Sequence, residues 1–128
     1  MKKLLLVFAV LFATVSSSFA YQETLWVTGG YGSQNSSSST VYVNSYVGSI
    51  SLSASWNNAM AYDSSGMVSA YAHGGAPYSD QYNYYSYNSP SYSNTVYFQG
   101  SNNQQYITSI NFLIWAISCS GQATLTVN

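Results

Sequence analysis

Residues 49–56 read SISLSASW, a strict alternation that puts Ile50, Leu52, Ala54 and Trp56 on one side and serines on the other. A period of two sends successive side chains to opposite faces of an extended strand, whereas a helix would scatter the same four apolar groups around its circumference. The segment therefore specifies a half-buried β-strand, and with it a second layer to cover the apolar side.

Residues 23–28 (ETLWVT), 40–46 (TVYVNSY), 94–99 (NTVYFQ) and 123–127 (ATLTV) read as further short strands, rich in β-branched and aromatic side chains. Residues 106–119 hold the strongest apolar run, unbroken from Phe112 to Ile117, and this predicts a central strand covered on both faces. Residues 32–39 (GSQNSSSS) read as a polar loop. Residues 63–66 (DSSG) read as a hairpin loop between strands at 59–62 and 67–72, with Gly66 in a left-handed conformation. Residues 78–93 form a tract rich in Tyr, Ser and Asn. Seven or eight short strands separated by turns predict an all-β chain, a single small β-sandwich of jelly-roll or immunoglobulin-like type. No internal repeat of fixed period is present, which weighs against a solenoid. Thr124-x-Thr126 occurs once, so the sequence offers no repeated threonine ladder.

Ahead of the strands, residues 1–20 (MKKLLLVFAVLFATVSSSFA) carry two lysines, an apolar run and a Ser-x-Ala ending. This is the pattern of a secretory signal peptide. The run is shorter than the ~20 residues of a bilayer span. The expected mature domain is residues 21–128, secreted to the extracellular space or the cell surface, with no membrane association once the leader is removed.

Charge excludes several function classes. The chain has two basic and three acidic residues in 128, and both basic ones, Lys2 and Lys3, lie in the leader. Beyond residue 20 only Glu23, Asp63 and Asp80 are charged. Without Lys or Arg there is no phosphate-binding surface, so nucleic acid is not an expected partner. A Ser-His-Asp arrangement could draw only on His73 with Asp63 or Asp80, and no G-x-S-x-G elbow accompanies them. A zinc site would need several His or Cys where there is one of each. The expectation is a non-enzymatic chain with no catalytic residue, metal site or cofactor.

The aromatic content points to surfaces instead. The chain has 14 Tyr and 3 Trp. Tyr82, Tyr84, Tyr85, Tyr87 and Tyr92 are candidate interface or ligand aromatics, because tyrosine buries area at low entropic cost and stacks on sugar rings. Trp56 and Trp115 are expected in the core. Leu25, Trp26 and Val27 form a candidate assembly strand near the mature N-terminus. Asn35-Ser36-Ser37 is a candidate glycosylation sequon. Cys119 has no partner in its own chain, so it is either buried and inert or bridges two chains as an intermolecular disulfide. Cys119 and Gln122 also stand three apart, the spacing of a thiol and an amide that condense into an internal thioester.

Low surface charge removes the repulsion that keeps proteins monomeric, and lysine-free edge strands are open to pairing with another chain. The leading expectation is an exported structural subunit that self-assembles, as a homo-oligomer or polymer, into a filament or surface layer, with residues 21–28 exchanged between copies. The same residues support a secreted carbohydrate-binding or adhesive module that grips glycans with surface Tyr and Trp. They also support a small pore-forming toxin, since amphipathic strands rich in Ser, Thr and Tyr suit β-barrel insertion.

Overall fold

The computed structural model describes residues 20–75, 78–85, 88, 90–99 and 103–128. Eight strands follow in chain order: β1 (Tyr21–Thr28), β2 (Gln34–Val47), β3 (Ser49–Asn57), β4 (Ser65–Gly74), β5 (Tyr78–Tyr85), β6 (Ser91–Tyr97), β7 (Gln105–Ile117) and β8 (Ser120–Val127). They form two four-stranded sheets, the first in the order β1-β8-β3-β6 and the second in the order β2-β7-β4-β5. Every pairing is antiparallel.

The pairings β1·β8, β2·β7, β3·β6 and β4·β5 couple the first strand to the last and work inward, as in one long hairpin. Rolling that hairpin adds the β3·β8 and β4·β7 ladders and closes two sheets over one core. This order is that of a double-sheet jelly roll, which decides between the two sandwich types that strand counting left open.

Alternation fills the core. Ile50, Leu52, Ala54 and Trp56 of β3 face inward and are buried, as are Val68, Ala70 and Ala72 of β4. β7 lies between β2 and β4, the central position its apolar run predicts. Its inner face, Phe112, Ile114 and Ala116, is buried, whereas Leu113, Trp115 and Ile117 are half-buried on the outside of the second sheet. Trp115 therefore covers the sheet exterior instead of joining the core.

Two further readings of the sequence change. Residues 34–39, expected in a loop, are the first half of β2, because each pairs with a residue of β7 between Ile117 and Phe112. The backbone ladder that β7 requires outweighs the turn preference of serine. Residues 59–62 are not a strand, and Gly66 lies inside β4 without a left-handed conformation. What Gly66 supplies is space. A Cβ there would collide with the Trp56 indole, as would one at Gly121 of β8, 2.9 Å from Nε1 and Cδ1. The largest buried side chain thus lies between two glycines of opposite sheets, with its Nε1 donating to Trp115 O at 3.3 Å.

The turn at residues 118–119 carries the chain from β7 to β8 and fastens one end of the sandwich. Ser118 has φ 54° and no exposure. Its carbonyl accepts from Met60 N and Ser64 Oγ, its Oγ accepts from Gly32 N, and its own N donates to Gly30 O. Cys119 O accepts from Gly29 N at 2.9 Å. The connection from β1 to β2 is thereby held against the β7–β8 turn.

Candidate functional site

Three surfaces could carry a function: the flank where the edge strands β5 and β6 meet, and the outer face of each sheet.

At the flank, Tyr78, Asp80, Tyr82 and Tyr84 of β5 alternate toward Tyr92, Asn94 and Val96 of β6. The Tyr92 hydroxyl donates to Asp80 Oδ1 at 2.6 Å and the Asn94 amide donates to Oδ2 at 3.0 Å, so the carboxylate ties the two sheets together. Tyr82 stacks on Tyr92 with centroids 4.7 Å apart and planes at 13°, and Tyr82 and Tyr84 lie 6.0 and 5.6 Å from the Trp56 ring. The Tyr84 hydroxyl donates to Asn88 O. Tyr85 points outward and is exposed. Tyr87 lies outside the described residues.

Burial, then the bond to Asp80 and its negative charge, push the Tyr92 hydroxyl up to about 12. Tyr78, buried near the same carboxylate, is pushed up further. A folded-state pKa above the ordinary 10.0 of tyrosine means that the folded chain holds protons the unfolded chain has released. The stability from Tyr92 is therefore complete below pH 10 and lost as the pH rises to about 12. Urea titrations across this range should show the decline, and Tyr92→Phe should make it shallower. An unchanged slope in that variant would assign the decline to other groups.

On the outer face of the second sheet, Thr40 Oγ1 donates to Asn111 Oδ1 at 3.2 Å, and Asn111 Nδ2 lies 3.2 Å from His73 Nε2. Tyr71 meets His73 edge-on at 4.8 Å. A groove of about 540 Å³ runs beside them, lined by Ser38, Ser69, Tyr71, Asn111 and Leu113 among others. Asn111 and Thr40 are thus committed to each other and to His73.

The outer face of the first sheet is different. Register aligns Gln22, Thr126, Ser51 and Thr95 in one row across β1, β8, β3 and β6. The next row is Thr24, Thr124, Ser53 and Ser93, and the next is Trp26, Gln122, Ser55 and Ser91. No member is charged. A hollow of about 270 Å³ lies in this face, lined by Ser53, Ala54, Ser55, Ser91, Tyr92, Gln122 and Thr124. Trp26, 65% exposed, stands directly across from Gln122. Sequence reading named Trp26 and Gln122 for other roles and overlooked the serines. The signal for them was the alternation of β3 itself, whose polar half was read only as solvent-facing.

The other residues singled out from the sequence are dispersed. Leu25 and Val27 point into the core from β1, at 8% and 6% exposure. Asn35 is exposed on β2, with its Nδ2 donating to Thr28 O at 3.2 Å. Cys119 is buried, its thiol donating to Ser65 O at 3.5 Å, and burial pushes that thiol up. Gln122 is exposed on β8. Asp63 accepts from Ser118 Oγ at 3.3 Å and Asp80 is engaged at the flank, so the structure brings neither acid to His73. Among the described residues no three His, Cys, Asp or Glu gather into a metal-binding group.

No protein-family model and no curated protein matches the chain. Among solved structures, the chain is similar to the infectious bursal disease virus VP2 subviral particle at 18% identity, over 88% of this chain and 34% of that one, with a TM-score of 0.45. It is similar to the naturally occurring empty particles of the cowpea mosaic virus top component at 10% identity, over 87% and 83% of the two chains, with a TM-score of 0.49. The infectious bursal disease virus Gx strain gives 17% identity, 87% and 33% coverage and a TM-score of 0.42. The chain spans about a third of the length of the bursal disease virus chains. Identities this low say nothing of activity or partners, and the jelly-roll order rests on the ladders themselves.

Proposed function

We propose that the chain is an exported, non-enzymatic structural subunit that polymerises into an extracellular filament or surface layer by exchanging β1 between neighbouring copies. One observation carries this reading: β1 is an edge strand held by a single ladder, to β8, over all eight of its residues. It reaches the core through Leu25 and Val27. If β1 leaves its own sheet and enters a neighbour's, the same ladder and the same two apolar contacts re-form in trans at little net cost. Repeated head to tail without closing on itself, the exchange gives an open filament.

Charge supports the same reading. The edge strands β1, β2, β5 and β6 carry no lysine or arginine, the residues that ordinarily guard sheet edges. Their only charges are Glu23 and Asp80. Assembly of this kind depends on backbone pairing and apolar contact, and is expected to persist at high salt.

Deletion of residues 21–28 is the direct test. The shortened chain should form no filaments under negative-stain electron microscopy while its circular dichroism keeps most of its sheet signal. Filaments indistinguishable from those of the full mature chain would remove strand exchange as the mechanism.

A further inference from the structure

We infer that the outer face of the first sheet is a binding surface for a neutral polysaccharide, with the hollow beside Gln122 as the subsite for one sugar ring and Trp26 as the stacking platform for the adjoining ring. The inference does not depend on strand exchange. Three properties of the face carry it.

The first is chemical. The three rows contain only hydroxyl and amide side chains plus one indole. Sugars present the matching groups, hydroxyls that both donate and accept and an apolar C–H face that stacks on an aromatic ring. An anionic ligand would meet no cation here, and an apolar one would meet only Trp26 and the floor of the hollow.

The second is availability. Among the described residues, the Gln122 amide and the hydroxyls of Ser53, Ser55 and Ser91 make no side-chain hydrogen bond within the chain. Beside the groove of the second sheet, Thr40 is bonded to Asn111 and Asn111 to His73. A ring that bonds Gln122, Ser53, Ser55 and Ser91 therefore breaks no internal bond, whereas one that engages Thr40 or Asn111 beside the second groove, or Thr124 at the edge of the hollow, competes with a bond already made.

The third is size and placement. The hollow, at about 270 Å³, falls just below the ~300–1,000 Å³ of sites that enclose drug-sized ligands. That volume suits a single ring of a chain that runs on across the sheet. Neighbouring strands lie ~4.8 Å apart, so Trp26 on β1 stands one strand beyond Gln122, positioned for the adjoining ring. Rows of Thr and Ser on either side continue the contact.

The experiment uses the mature chain and a panel of insoluble neutral polysaccharides, namely cellulose, chitin, mannan and β-1,3-glucan, with their soluble hexasaccharides. Retention on at least one is expected, with a shift in tryptophan emission on titration with the matching hexasaccharide. Trp26→Ala and Gln122→Ala should each weaken binding at least ~10-fold, and Ser55→Tyr, which fills the hollow, should abolish it. Tyr71→Ala, on the opposite sheet, should leave it unchanged. Gln122 and Ser55 lie outside the exchanging strand, so their variants should still assemble, and a failure of polysaccharide binding can be told from a failure of strand exchange. Absence of retention on every polymer would overturn the inference, as would binding that survives Ser55→Tyr. Loss of assembly in Gln122→Ala would also overturn it, by making this face a contact between copies.

Discussion

Replacement of Trp56 by alanine is expected to destabilise the fold by about 3–5 kcal/mol, the range for removal of a large buried aromatic side chain. Set against the ~5–15 kcal/mol of total stability of a typical domain, this removes a large share of the margin. The reason is local. Trp56 is 1% exposed, spans the two sheets, bonds Trp115 O through Nε1 and has Tyr82 and Tyr84 against its ring. Gly66 and Gly121, which flank the ring from opposite sheets, have no side chain to move into the space. Urea unfolding should show a lower midpoint with little change in slope. The reciprocal variant, Gly66→Ala, should be damaging by overpacking, by at least ~1–3 kcal/mol, since the added methyl meets the indole that reaches across from the other sheet. Combining Gly66→Ala with Trp56→Phe should be clearly non-additive, because the smaller ring makes room for the methyl. Strict additivity would show that the two positions do not share the space argued for them.

The second large effect concerns assembly. Thr24 of β1 and Thr124 of β8 are cross-strand partners with their Oγ1 atoms 3.2 Å apart. Antiparallel partners have Cα atoms ~4.5–5.5 Å apart, inside the range that a disulfide spans. A Thr24→Cys, Thr124→Cys chain should therefore close a bond that locks β1 into its own sheet. Cys119, being buried with a raised thiol pKa, does not compete for it. Oxidised monomer should form no filaments at any concentration, and reduction should restore them. This variant keeps the whole core, so it separates loss of exchange from loss of folding, which deletion of residues 21–28 alone does not. Polymerisation of the oxidised monomer at the wild-type rate would exclude exchange of β1.

Much of the architecture was legible because one face of each strand is buried and the other is not. The alternation at residues 49–56 appears in the structure as β3 with its apolar half inside, and the apolar run at residues 112–117 as the central strand of the second sheet. The errors fall where pairing overrides composition. Residues 34–39 look like a linker and are a strand because β7 needs a ladder partner along its full length. Gly66 looks like a turn residue and is a packing residue because a tryptophan in another sheet lies against it. Trp115 looks like core and lies on the outer face because its neighbours, Phe112, Ile114 and Ala116, took the inner positions.

The candidate sugar-binding face shows the same division. Its serines and threonines come from four strands far apart in the chain, and nothing in their local sequence marks them as one surface. Local sequence determined that the chain is all-β, that its strands are one-sided and that the residues beyond 20 carry almost no charge. These are properties of period, composition and solvation, and each can be read within a few residues. Strand order, the placing of Trp56 between two glycines, the edge position of β1 and the gathering of Trp26, Gln122, Ser55 and Ser91 into one row were decided only by tertiary structure. They follow from which strand pairs with which, and in what register, which the energy of the whole core selects and no single segment encodes.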